Sequence, residues 1–127
     1  MTVLASPDEA AGRYSLYRFD LGPASGGPSP HVHQGFAESF VVLDGVVELY
    51  DGSAWRLGRP GDHLYVPEGV AHAFRHSDPA PATVLMLSAP GAPRERYFFE
   101  LADLLASDAP TAEEFVELWA RHDTVPA

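Results

Sequence analysis

The chain has no cysteine. A disulfide framework, a thiol nucleophile and a thiolate-bound cluster are therefore excluded, and any metal site must be built from His, Asp or Glu. Positive charge is also scarce: 8 Lys and Arg stand against 18 Asp and Glu in 127 residues, a formal charge of −10. Phosphate binding needs a basic surface, so no nucleic-acid partner is expected, nor an anionic membrane surface. The acidic residues are spread along the chain and read as a solvated exterior. No apolar run approaches the roughly 20 residues that span a bilayer. Met1 to Ala11 holds no basic region followed by an apolar stretch, so no secretory leader is expected and a cytoplasmic location is the default. There is no internal repeat, and 127 residues suit a single domain, 1–127.

What the chain has in quantity is punctuation. Its 12 prolines and 11 glycines separate brief runs rich in Val, Leu, Phe and Tyr, the rhythm of short antiparallel strands in an all-β sandwich or barrel. Strands are expected at Tyr14–Leu21, Glu38–Leu43, Val46–Tyr50, Ala54–Leu57, His63–Val66, Ala71–Arg75 and Thr83–Leu87. Asp44-Gly45 reads as a two-residue hairpin turn that pairs Val46–Tyr50 back onto the preceding strand, and Asp51-Gly52 repeats the signal. The barrel should occupy about 12–90. A helical tail follows at about 93–123, with one helix over Arg94–Leu105 and a second behind the capping box Thr111…Glu114. Phe115, Leu118, Trp119 and His122 recur there at helical spacing. That stripe is expected to pack against the barrel or a neighbouring subunit.

The chemistry concentrates in His31, His33, Glu38 and His72. Residues two apart in a strand point the same way, so His31 and His33 share one space. Glu38 has the opposite parity, and Gln34-Gly35-Phe36-Ala37 can turn the chain and reset its face. His72 follows the turn Pro67 to Ala71. Three imidazoles and one carboxylate suit a single divalent transition metal ion, Fe, Ni, Mn, Co, Cu or Zn; Ca and Mg prefer oxygen ligands. Four protein ligands on an ion that accepts five or six leave positions open for substrate or O₂. Phe40 and Val42 share parity with Glu38, and Phe74 with His72, so these three should line a pocket beside the site. His63 and His122 read as structural, and Glu68 as a solvated turn carboxylate.

The spacing His31-x-His33-x₄-Glu38-x₆-Gly45 resembles the first conserved motif of the cupin family, and Gly61-x₅-Pro67-x-Gly69-x₂-His72 resembles the second. The likeness runs from about Tyr14 to Ser88. It implies a cupin-type barrel (a double-stranded β-helix, or jelly roll) with two short C-terminal helices, and it implies the four residues as metal ligands. Two positions depart from the pattern. Ser25 stands where the first motif usually opens with Gly, and His76 stands where the second usually closes with Asn. The latter makes His76 a candidate for hydrogen bonding to the metal ligands from outside. The tail, with Ser88-Ala89-Pro90-Gly91 and Arg96-Tyr97-Phe98-Phe99-Glu100-Leu101, is similar to that of quercetin 2,3-dioxygenase-like small cupins.

The function this resemblance implies is a metal-dependent dioxygenase acting on a flavonol-like or other small enolic aromatic substrate, with Glu38 taking the substrate's hydroxyl proton. The alternatives are a non-oxidative cyclase or isomerase that uses the metal as a Lewis acid, and a non-catalytic small-ligand-binding cupin. A homodimer is expected, with Tyr14–Leu21 as a strand that could be exchanged to cover an open sheet edge.

Overall fold

In the computed structural model, which describes residues 1–127, period-two alternation decides how each strand sits. Strand β2 (Ser15–Leu21) buries Ser15, Tyr17 and Phe19 and turns Arg18 and Asp20 to solvent. β4 (Ala37–Asp44) buries Glu38, Phe40 and Val42 from one face, and β9 (Ala82–Ala89) buries Val84, Met86 and Ser88. These strands are central to an antiparallel five-stranded sheet of order β1-β2-β9-β4-β7, in which β1 (Thr2–Ala5) and β7 (His63–Val66) form the edges. A three-stranded sheet places β5 (Val47–Tyr50) between β6 (Trp55–Gly58) and β8 (Ala73–Arg75). The core joins both sheets, with Tyr17, Phe40 and Val84 from the first packed in one cluster with Val47, Leu49 and Phe74 from the second. A short pair joins β3 (His31–Val32) to β10 (Val125–Pro126).

The antiparallel barrel and both C-terminal helices expected from the sequence are present. α1 spans Arg94–Leu105 and α2 spans Ala112–Arg121. Thr111 accepts from the Glu114 amide at 3.2 Å while the Glu114 carboxylate accepts from the Thr111 amide at 3.4 Å, completing the capping box. Leu118 is the buried centre of the apolar stripe of α2.

Three expectations are corrected. The Asp44-Gly45 turn does not make a hairpin. β4 pairs with β9 on one side and β7 on the other, which leaves no edge for β5, so the chain turns there and crosses into the second sheet. Gly45 is required at that corner: its φ is +74°, and a Cβ would lie 2.5 Å from the Pro81 carbonyl oxygen. Asp51-Gly52 does close a hairpin, between β5 and β6. The strand expected at Tyr14–Leu21, read as one that could be exchanged to cover an open edge, lies inside the sheet of its own chain instead, paired on both sides by β1 and β9. Finally, β1 and β10 have no counterpart among the expected strands. Both are short and carry no period-two burial, and each exists only through its partner strand.

Candidate metal centre

His31 and His72 face each other across an isolated bridge in which each backbone amide donates to the other's carbonyl, at 3.0 and 2.9 Å. This pair of hydrogen bonds fixes the two histidine-bearing chain segments side by side before any side chain is considered. His33 follows at the end of the same extended segment, where its carbonyl accepts from the Gly69 amide at 2.8 Å. The next residues turn, as the parity conflict requires. The Asp123 carboxylate receives the amides of Gln34 at 3.0 Å and Gly35 at 2.6 Å, tying the turn to the C-terminal segment. Phe36 then stacks on the His33 ring, with centroids 4.3 Å apart. Glu38 enters β4 opposite Val66 on one side and Ser88 on the other.

The result brings His31, His33, Glu38 and His72 together, with one donor atom from each within 4.8 Å of the others. All but His31 are fully buried. Every imidazole has its Nδ1 against a backbone carbonyl: Ser29 at 2.8 Å for His31, Asp123 at 2.6 Å for His33 and Val70 at 3.0 Å for His72. A carbonyl only accepts, so each Nδ1–H donates. In the neutral ring this leaves a bare Nε2 lone pair aimed into the cluster.

Glu38 Oε1 lies 2.6 Å from His33 Nε2 and 3.1 Å from His72 Nε2. Two lone pairs do not approach to 2.6 Å without a cation between them, either a proton or a metal ion. His33 Nε2 and Glu38 Oε2 are also buried without a hydrogen-bond partner, which native interiors rarely tolerate. A metal bonded at roughly 2.0–2.2 Å to each ligand would hold the donors within roughly 4.4 Å of one another, a contraction of a few tenths of an ångström. The residues present thus fit a transition metal ion in donor type, tautomer and spacing.

Burial opposes ionisation of Glu38, but the contacts with His33 and His72 outweigh it and hold the carboxyl at about 2. It is an anion throughout the neutral range. Burial pushes His31 from 6.5 down to about 4, against the opposing effect of its bond to Ser29. This has a measurable consequence for the metal-free protein. Above pH 6.5 His31 is neutral both folded and unfolded, and its contribution to stability is complete. As pH falls from 6.5 to about 4 the unfolded chain binds a proton that the folded one refuses, so stability is lost across that window. The loss attributable to His31 is on the order of 3 kcal/mol. Urea unfolding of chelator-treated protein at a series of pH values should show it, and His31→Gln should remove that part of the slope. An equal slope in the variant would assign the acid sensitivity to other groups.

His31, His33 and Glu38 of the cluster line one side of a cavity of about 610 Å³ whose apolar wall includes Phe19, Phe40, Phe74 and Phe98. Of the three residues expected to line a pocket, Phe40 and Phe74 do so. Val42 does not: it is fully buried one strand repeat further along β4, where its methyl group, with those of Val47 and Leu49, takes up the space that a Cβ on Gly58 would need, and it is core. His76 is also placed differently from the expectation. It hydrogen bonds to none of the four cluster residues. Its Nδ1–H donates to the Gly22 carbonyl at 2.8 Å, and its backbone bridges Gly26, pinning the Gly22–Pro30 loop to β8. Ser25 Oγ lies 3.4 Å from the same Nδ1, so the two departures from the cupin pattern touch one another. The carbonyls of Ser29, Val70 and Asp123 occupy the role that His76 was a candidate for. His63 and Glu68 are exposed, and His122 pairs with Glu100 at 2.7 Å.

Sequence reasoning missed Asp123 and Arg94. Asp123 stands some 90 residues from the turn it caps, with no local signal beyond a lone acidic residue. Arg94 carried one: it opens α1, where the helix dipole disfavours a cation. It is buried, it lines the cavity, and its guanidinium lies 4.4 Å from the centre of the Tyr97 ring.

Comparison with known proteins agrees with this architecture. Residues 17–88 match the cupin domain family. No curated protein matches the chain significantly. Among solved structures, the TT1209 protein of Thermus thermophilus is similar at 29% identity and a TM-score of 0.58, over 62% of this chain and 74% of that one. A sugar phosphate isomerase of the cupin superfamily from Silicibacter pomeroyi is similar at 26% identity and a TM-score of 0.59, over 68% and 57%. The polyketide cyclase RemF from Streptomyces resistomycificus shares the fold at 24% identity and a TM-score of 0.61, over 72% and 64%. No helix is long and apolar enough to cross a membrane. With the family match covering more than half its length and both sheets in the corresponding barrel, the chain belongs to the cupin family.

Proposed function

We propose that this cupin is a metal-dependent enzyme acting on a small enolic aromatic compound, with His31, His33, Glu38 and His72 holding one divalent transition metal ion. The observation that carries the reading is the set of three Nδ1–H donations to backbone carbonyls. They leave three bare Nε2 atoms converging on an ionised carboxylate beside an aromatic-walled cavity. When bound, the metal supplies Lewis acidity and, if redox-active, a route to O₂. The chain's own part is to fix the ligand atoms, exclude water with the phenylalanine wall, and present Glu38 Oε2. That oxygen is buried and unpaired, and it is the atom that accepts the proton of a substrate hydroxyl.

The reaction we infer is oxygen-dependent cleavage of a flavonol-like or other small enolic aromatic substrate, for which quercetin is the first probe. Iron- or nickel-loaded protein incubated with quercetin should consume it in air and spare it under nitrogen. Product formed at the same rate without O₂ would overturn the dioxygenase reading. The second reading, a Lewis-acid isomerase or cyclase, draws on the isomerase and cyclase among the similar structures. Zinc in protein expressed without supplementation, with turnover under nitrogen, would favour it.

The homodimer is also a proposal, and the edge strand β1, which exposes Val3 and Leu4, replaces β2 as its surface. A monomer by light scattering would reject it.

A further inference from the structure

All eight basic side chains of this protein are arginines, and seven of them are exposed. Arg94 is the exception, at 5% exposure. Its position is unfavourable on three separate counts. Burial disfavours the charged guanidinium and lowers its pKa. The residue opens α1, whose N-terminus carries partial positive charge and has no side-chain cap. Its Nε is buried with no hydrogen-bond partner.

No carboxylate pairs directly with this charge. Glu38 and Asp123 act on it only through space, and the hydrogen bonds of the acidic groups go elsewhere: Glu38 to the His33 and His72 side of the cluster, Asp123 to the Gln34 and Gly35 amides, and Glu95 to the Tyr17 hydroxyl. Arg94 itself gives one donor to the His122 carbonyl at 2.8 Å and one to Thr124 Oγ1 at 3.4 Å. Those bonds tie it to the C-terminal segment and hold the fork in place. They use two of its five donors.

Arg94 lines the same cavity as His31, His33 and Glu38 of the cluster. Phe36 lies between the two, stacked on the His33 ring with the Arg94 guanidinium carbon 5.5 Å from its centre. A planar group with free donors, held rigidly against an apolar wall, is suited to a planar anion. We propose that Arg94 binds the carboxylate of the substrate, so that the cavity selects a carboxylate-bearing aromatic whose hydroxyl faces the cluster. This deepens the reading of the site as a metal centre for a small enolic aromatic, narrowing it from flavonol-like compounds, which carry no carboxylate, to enolic aromatic acids, and it rests on that reading for the orientation of the hydroxyl. One guanidinium, with two donors already engaged, matches a monoanion.

Salicylate and its neutral amide, salicylamide, have the same ring and hydroxyl and differ in charge at one group, which makes them the probes. Calorimetric titration of each should be made into chelator-treated protein and into zinc-loaded protein of measured metal content. The native chain should prefer salicylate by about 10- to 100-fold, the effect expected of a charge-assisted pair. Arg94→Met should abolish the preference, and Arg94→Lys should restore part of it. Thr124→Val removes a tail bond and leaves the guanidinium in place, so it should keep the preference. This separates anion binding from a role in holding the tail.

Equal affinity for the two probes in the native chain, binding of neither, or an unchanged preference in Arg94→Met would each overturn the proposal. Should Arg94→Met fail to fold, the native preference and the Lys variant decide. Failure of the metal reading shows separately, as absence of bound zinc, while the two probes still report on Arg94 in the metal-free protein.

Discussion

Glu38→Gln should lower the affinity of this protein for zinc, nickel or iron by at least about 100-fold, the upper end of what losing a mere supporting residue costs. Glu38 is the single anion in a cluster otherwise made of three imidazoles. Its Oε1 already sits 2.6 and 3.1 Å from the Nε2 atoms of His33 and His72, so it brings charge and position together. An amide of the same shape keeps the position and loses the charge. Elemental analysis after dialysis against a competing chelator would measure the change. Native metal content in the variant would remove Glu38 from the ligand set.

The same substitution has a second signature in metal-free protein. The Glu38 carboxyl is held at about 2 against an ordinary 4.5. Its contribution to stability is therefore complete above pH 4.5 and is lost as pH falls through 2. The Gln variant has no proton to take up and should lack that acid-sensitive step.

Asp123→Ala should weaken metal binding by about 10- to 100-fold without removing a ligand. The Asp123 carbonyl accepts the Nδ1–H of His33, and its carboxylate accepts both amides of the turn that swings Glu38 onto the histidines' side. Losing the carboxylate frees that turn, and with it the relative placement of His33 and Glu38. Hydrogen bonds to a charged group are worth about 1.5–3 kcal/mol, so the thermal midpoint should fall as well. Asp123 also has a φ of +49°, a conformation that Asn and Asp enter far more readily than Ala. Asp123→Asn keeps that preference and one acceptor, and should retain more of both stability and metal. If Ala and Asn lose metal affinity equally, backbone conformation is not part of the effect. If neither loses any, the carboxylate does not position the site.

The strands of this protein were legible because burial on one face imposes a period of two, as in Ser15, Tyr17 and Phe19 on β2 or Phe40 and Val42 on β4. The helices were legible because their boundaries carry local signals, Pro93 before α1 and the Thr111–Glu114 box before α2. Pairing was harder to read. Asp44-Gly45 announces a turn, but a turn signal does not say which strand the chain meets afterwards. Here β7 and β9 had already taken both sides of β4. Parity likewise placed Val42 on the correct face and could not say that it lies among Val47 and Leu49, beyond the cavity.

The sequence by itself determined that His31 and His33 share a side and that the four residues before Glu38 must turn, both consequences of short-range backbone geometry. The likeness of its two motifs to the cupin pattern marked Glu38 and His72 as companions of the two histidines, and the four do cluster. Only the tertiary structure decided what surrounds that cluster. The carbonyls of Ser29 and Val70 stand two residues before the histidines they orient, but the Asp123 carbonyl that fixes His33, the Asp123 carboxylate that holds the turn and the buried charge of Arg94 come from the tail, brought back against the barrel by α1, α2 and β10. Such contacts join residues as many as 90 positions apart, and they depend on how helices dock on a barrel, which no local pattern of residues encodes.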